Sequence, residues 1–207
     1  MSLKLHVFPP SPRAFKVLFV AHHLGIDYEL CRVDLTKGAT KAPEFAALNP
    51  NMRMPVLEED GFALWESNAI VEYLASKKEG WLPRATRERL ALTKWLYWES
   101  SHWDPACAVF VFERVVKPLF GLGETSSAEI ARGETLFKRL GPVLNGELER
   151  HRYLTGEALT IADLALGASF CAADRAAFPL EEYRAIQRWQ ADLKALPAWS
   201  RTVALQG

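Results

Sequence analysis

Every run in this chain that reads as a β-strand lies before residue 66, and from about Arg84 onward only helical periodicities remain. That division restricts the fold more than any other feature. It calls for a mixed α/β domain followed by an all-helical one, and 207 residues are enough to bury two modest cores.

The first part is built from short pieces. Residues 3–8 form an apolar run stopped by Pro9-Pro10, which suits a first strand. Ser11 has the residue type of a helix N-cap, Pro12 fits the first helical position, and Ala14, Val17, Leu18 and Ala21 recur at helical spacing until Gly25 closes the segment. Ile26 to Leu35 reads as a second strand, and a strand–helix–strand unit of this length predicts parallel pairing with a right-handed crossover. Lys41 to Leu48 predicts one or two helical turns ending at Asn49-Pro50, because the residue before a proline avoids helical dihedrals. Pro55 to Glu58 and Ala63 to Trp65 flank Glu59-Asp60-Gly61, where Asp-Gly is a hairpin signal. A helix from Ser67, with Ile70, Val71 and Leu74 on one face, fades at Lys77-Lys78-Glu79-Gly80. The resulting order is βαβαββα with a mixed sheet. We place this domain at residues 1–78, a linker at 79–86 and an all-helical domain at 87–207.

The helical part breaks near Gly121 to Gly123, Gly156, Pro179 and Pro197. It holds Trp95, Trp98, Trp103, Trp189 and Trp199, which at helical spacing read as core. Leu159-Thr160-Ile161-Ala162-Asp163-Leu164 carries a capping-box pattern, with Thr160 as N-cap, Asp163 at the third helical position and Leu159 packing on Leu164. We read that motif as folding chemistry.

Lys plus Arg equals Asp plus Glu at 25 each, so no net field favours nucleic acid or an anionic membrane. Cys31, Cys107 and Cys171 are dispersed and odd in number, which fits neither a disulfide framework nor a Cys-x-x-Cys site. No apolar run approaches the roughly 20 residues needed to span a bilayer, and Met1-Ser2-Leu3-Lys4 lacks the apolar core of a secretory signal. A soluble, cytoplasmic protein is the expectation. His22, His23 and His102 show no metal-ligand spacing.

Several motifs in their order resemble one family. They are Ser11-Pro12-Arg13-Ala14-Phe15-Lys16-Val17, Asn49-Pro50 through Met54-Pro55-Val56, the pair Glu66-Ser67, and Leu159-Thr160-Ile161-Ala162-Asp163. On a βαβαββα domain joined to a helical one, these resemble the cytosolic glutathione transferases over essentially the whole chain. The resemblance implies a thioredoxin-like first domain that binds glutathione as co-substrate, no further cofactor, a helical domain that supplies most of the site for a hydrophobic electrophile, and a homodimer. It also implies a detoxifying transferase.

Residue by residue, the resemblance implies a cis bond before Pro55 that leaves the Met54 N–H and C=O free to pair with the cysteinyl backbone of glutathione. In isolation Pro55 would simply start an edge strand in trans. Glu66 and Ser67 would take the γ-glutamyl ammonium and carboxylate at a helix start, where free N–H groups favour an anion. Their plain alternative is a solvated acid beside a helix cap. Lys41 and Arg53 are candidates for the glycyl carboxylate, and each serves equally as a surface cation. Many relatives have glycine where this chain has Met52.

Ser11 occupies the position at which serine-type members carry the hydroxyl that activates the thiol. A free thiol with a pKa near 8.5 is only a few percent ionised at neutral pH, and lowering it by two units requires about 2.7 kcal/mol of preference for the thiolate. A hydroxyl donor at a helix N-terminus can supply that. No tyrosine precedes Tyr28, and Cys31 belongs to the second strand, so the tyrosine and cysteine variants of this chemistry do not fit. Phe8, Pro10, Trp103 and Phe110 are candidates for the hydrophobic substrate site, with core packing as the alternative. Competing activities are a non-catalytic ligand carrier or interaction protein on the same fold, and a glutathione-dependent peroxidase, dehalogenase or isomerase.

Overall fold

The computed structural model describes residues 3–206; Met1, Ser2 and Gly207, which the domain boundaries above include, lie outside the described residues. Two units emerge, one comprising residues up to Leu82 together with the segment from Leu196, the other Pro83–Ala195.

The first unit has the order β1 (Lys4–Val7), α1 (Pro12–Leu24), β2 (Glu29–Arg32), α2 (Pro43–Leu48), β3 (Val56–Glu59), β4 (Phe62–Trp65) and α3 (Ser67–Ser76). The four strands form a mixed sheet in the order β2-β1-β3-β4, with β1 parallel to β2 and antiparallel to β3. The expected thioredoxin-like arrangement is therefore present. Asp60 and Gly61, at φ 52° and 79°, make the two-residue turn between β3 and β4, and both need the left-handed region that an Asp-Gly pair tolerates.

β2 is shorter than the run Ile26 to Leu35. At its start the Ile26 N–H is committed to the Ala21 carbonyl in the α1 terminus. At its end Asp34 accepts from the N–H groups of Thr36 and Lys37 and folds the chain into a 3-10 turn at Leu35–Lys37.

The tail of the chain, α11 (Pro197–Val203), groups with the first unit rather than with the helices that precede it. Trp199 packs edge-on against Phe15 at 4.7 Å and Phe19 at 5.3 Å, so one of the tryptophans of the second half serves the core of the first unit. α1 lies against both α3 and α11 and is buried from Ala14 to Ala21.

The second unit begins with one helical run, α4 (Thr86–Trp98), α5 (Asp104–Val111) and α6 (Lys117–Phe120), joined by π-helical turns at Glu99–Trp103 and Phe112–Val116. Each wider turn ends just before a proline, Pro105 or Pro118, whose missing N–H cannot join an ordinary helical ladder. α7 (Ser127–Arg150), α8 (Ile161–Gly167), α9 (Ala173–Ala176) and α10 (Arg184–Lys194) complete it. Its core is aromatic: Trp103 lies 5.0 Å from Phe137, Phe110 lies 5.3 Å from Phe137, and Phe170 lies 5.6 Å from Trp189. No helix among the described residues is long and apolar enough to cross a membrane.

Candidate functional site

Strand register assembles the site. Val56 at the start of β3 pairs with His6 near the end of β1 and with Trp65 at the end of β4. Three segments therefore meet at one end of the sheet: Phe8 to Ser11 leaving β1, Met54-Pro55 entering β3, and Glu66-Ser67 leaving β4. Because β2 runs parallel to β1, with the Val33 N–H bonded to the Val7 carbonyl at 2.8 Å, the loop that leads to Lys41 emerges at the same end.

Ser11 is half-buried and sits at the N-cap of α1 with extended dihedrals. Its N–H bonds the Phe8 carbonyl at 2.9 Å and its carbonyl accepts from Phe15 at 2.8 Å, but its hydroxyl makes no capping bond. A serine whose only task was capping would accept from the first turn. This one holds the cap position through its backbone and leaves Oγ available.

The Met54–Pro55 bond is cis. Among the described residues neither the N–H nor the C=O of Met54 makes a hydrogen bond, so its backbone remains open as a strand-like edge. Its side chain packs with Leu35, Ala39 and Leu48 against the small cluster Val33, Phe45 and Val56. That cluster underlies both cationic candidates. Lys41 ends a 3-10 turn at Ala39–Lys41 and Arg53 precedes Met54, and both side chains are exposed. The loop between them is fixed by Asn49, 3% exposed, whose Nδ2 donates to the Arg53 carbonyl at 2.6 Å and whose Oδ1 accepts from the Asn51 N–H at 2.9 Å. Sequence reading used Asn49 only as a helix stop.

At the start of α3 the cap residue is Glu66, not Ser67. Glu66 has φ 71°, a conformation that non-glycine residues rarely adopt, and its side chain makes no capping bond. The turn leaves its carboxylate exposed and the first N–H groups of the helix without a side-chain cap. Ser67 follows, half-buried, with Oγ 3.0 Å from Lys16 Nζ. Lys16, whose Nζ also donates to Asn68 Oδ1 at 2.9 Å, is a neighbour of this turn that sequence reading did not single out. A lysine among Phe15, Val17 and Leu18 on an otherwise buried helix was the available signal.

The hydrophobic-site candidates divide. Phe8 and Pro10 are half-buried beside Ser11. Trp103 and Phe110 are 0% and 1% exposed, and Trp103 Nε1 donates to Ser169 Oγ at 3.1 Å within the second unit. Their expected place against a substrate is corrected: both belong to the aromatic core. The thiols do not compete for the chemistry either. Burial pushes the Cys107 thiol well above its ordinary value, and burial together with Glu29 raises that of Cys31.

Comparison with known proteins agrees with this geometry. Residues 1–76 match the family model for the glutathione S-transferase N-terminal domain and residues 102–197 that for the C-terminal domain. Glutathione S-transferase 3 of Zea mays is 37% identical over 98% of this chain and 93% of its own length. The disulfide-bond oxidoreductase YfcG of Escherichia coli K12 is 33% identical over 92% of this chain and 90% of its own. Glutathione transferase F7 of Populus trichocarpa superposes with a TM-score of 0.91 at 30% identity, covering 99% of both chains. Both domains, in this order, and the full-length relatives lead to one conclusion: this chain belongs to the glutathione S-transferase family.

Proposed function

We propose that the protein joins the glutathione thiolate to a small hydrophobic electrophile, with Ser11 donating a hydrogen bond to the sulfur. The observation that carries this reading is the uncommitted Ser11 hydroxyl at the N-terminus of α1, where the helix dipole also favours an anion. Met54 would pair with the cysteinyl backbone, Ser67 with the γ-glutamyl carboxylate, Glu66 with the γ-glutamyl ammonium, and Lys41 and Arg53 with the glycyl carboxylate. Phe8 and Pro10 are the remaining candidates for contact with the electrophile. Rate enhancement then comes from a preformed thiolate held beside its target, with no covalent step on the protein.

The test is the ultraviolet absorbance of the bound thiolate, titrated with pH for wild type and Ser11→Ala. The expected outcome is a thiol pKa well below that of free glutathione in wild type, restored upward in the variant. A loss of about 100-fold in kcat/KM, with glutathione affinity nearly retained, should accompany it. Equal losses in affinity and turnover would remove Ser11 from the catalytic role.

The similarity to YfcG supports a second reading, in which the same thiolate attacks a disulfide instead of a carbon electrophile. Parallel assays with a small disulfide and with an activated aryl halide separate the two. We also propose a cytoplasmic homodimer. Light scattering during size-exclusion chromatography that returned the mass of a single chain would refute the dimer.

A further inference from the structure

Ser11 can favour a thiolate only from the right place, because a hydrogen bond weakens steeply as its length and angle drift. The loop that delivers it, Phe8 to Ser11, is poorly equipped to anchor itself. Pro9 and Pro10 carry no N–H, so the pair has only carbonyls with which to bind its surroundings. Within the loop the Ser11 N–H closes on the Phe8 carbonyl at 2.9 Å. Among the described residues, the one hydrogen bond that reaches the loop from elsewhere than α1 comes from Gln206, whose Nε2 donates to the Pro9 carbonyl at 3.3 Å.

The direction of that bond is forced. The Pro9 carbonyl only accepts, so the Gln206 amide must present its nitrogen. Its mechanical effect follows from the ring geometry. Each proline ring locks its own φ at about −65°, so the soft dihedrals left across the pair are the two ψ angles. Holding the Pro9 carbonyl fixes the peptide plane between Pro9 and Pro10, and with it one of those two. The Ser11 to Phe8 bond restrains the other.

Gln206 is itself held. It ends a 3-10 turn at Ala204–Gln206 that follows α11, and Arg32 Nη2, at the end of β2, donates to the Leu205 carbonyl at 3.3 Å. α11 is fixed to α1 by Trp199 packing on Phe15. The helix that begins at Ser11 thus carries, on its flank, the segment that returns to steady the loop before it. We infer that Gln206 is a positioning residue for Ser11, holding the Pro9–Pro10 peptide so that the Ser11 hydroxyl stays directed at the glutathione sulfur. The inference rests on the glutathione reading above.

The experiment is the pH titration of bound-thiolate absorbance in wild type, Gln206→Met, Ser11→Ala and the double variant, with kcat and glutathione affinity measured at one pH below the wild-type bound-thiol pKa. Gln206→Met, similar in size but without a donor, should raise the bound-thiol pKa by about half a unit or more and lower kcat about 3-fold or more. Glutathione affinity and Tm should stay as in wild type, because the tripeptide's anchors and the core are untouched. In the Ser11→Ala background Gln206→Met should shift the thiol no further, since its effect passes through Ser11. An unshifted thiol in Gln206→Met would overturn the inference, as would a shift that persists without the Ser11 hydroxyl. A loss of affinity equal to the loss of kcat would mark a merely structural residue and overturn it too. Should Gln206→Met fail to fold, Gln206→Ala takes its place with the same outcomes. A lowered thiol pKa in wild type that the Gln206 variants leave unaltered sinks this inference alone; wild type that binds glutathione without lowering its thiol pKa sinks the Ser11 reading with it.

Discussion

His22 on α1 and Thr202 on α11 stand 180 residues apart in sequence and 2.8 Å apart between Nδ1 and Oγ1. The direction of the bond follows from its neighbours. Thr202 Oγ1 donates to the Ala198 carbonyl at 2.7 Å, so it accepts from the His22 Nδ1–H, and Nε2 is left to accept from the Tyr28 hydroxyl at 2.7 Å. Imidazolium has no acceptor, so protonation would force the Tyr28 hydroxyl to turn from donor to acceptor. Burial, helped by the Arg201 charge, lowers the His22 pKa from 6.5 to about 4. Unfolded His22 takes its proton near 6.5 and folded His22 near 4, so this contribution is complete above pH 6.5 and is lost as pH falls toward 4. Discounted for half exposure, it is on the order of 1–2 kcal/mol. Thermal unfolding should show a Tm that declines across that window and a shallower decline in His22→Asn. Some slope should survive, because burial also lowers the pKa of His23. An unaltered slope in the variant would show that His22 is not the titrating group.

Met52 adopts φ 52° and is 46% exposed, so its backbone carries the cost of the left-handed region with little packing in return. Glycine relieves that cost, of about 1 kcal/mol, but adds entropy to the unfolded chain of roughly 0.5–1 kcal/mol. Met52→Gly should therefore be neutral to mildly stabilising. Met52→Val, with a β-branched side chain, should destabilise by about 1–2 kcal/mol. Urea melts of the two variants should bracket wild type.

The same residue shows what the sequence made legible. The element order, the parallel β1–β2 pair, the Asp60-Gly61 turn and the start of α1 followed from local rules of turn chemistry, periodicity and capping, and Met52 stood out as a departure from glycine. What did not follow depends on partners distant in sequence. Lys16 finds Ser67 across 51 positions. Trp199 leaves the helical half to pack on Phe15. Trp103 and Phe110 differ in no local respect from aromatic residues that face a ligand, and only the surrounding Phe137, Phe170 and Phe178 place them in a core. Periodicity identifies a buried face without saying what buries it.

Gly141 in α7 exists to admit Tyr183. A Cβ built at position 141 would lie 2.7 Å from the Tyr183 hydroxyl oxygen and against its ring, and that hydroxyl donates to the Phe137 carbonyl at 3.3 Å. Helix propensity alone favours alanine over glycine by about 1 kcal/mol. Overpacking reverses the sign, and Gly141→Ala should destabilise by about 1–3 kcal/mol. In a Tyr183→Ala background the same change should become stabilising. Denaturant melts of the four proteins test this, and additive effects would refute the steric account.

Asp163 was read from the sequence as one half of a capping box, but its carboxylate does more than cap α8. Oδ2 accepts from the Thr160 N–H at 2.9 Å and from the Thr160 hydroxyl at 2.8 Å, while Oδ1 accepts from the Leu154 N–H at 2.8 Å and from Trp189 Nε1 at 3.1 Å. The loop before α8, the helix itself and α10 thus share one fully buried acid. Burial pushes its pKa up, and those four donors pull in the opposite direction. Removing the carboxylate strands several donors where water cannot replace it, so Asp163→Ala should cost about 3–5 kcal/mol, well beyond an ordinary lost cap. Asp163→Asn keeps one acceptor and should fall between the two. The check is urea unfolding together with activity per folded molecule. The stability loss should be large while turnover of the remaining folded protein is unchanged, and a proportionate loss of turnover would give Asp163 a part in the chemistry that its position does not provide.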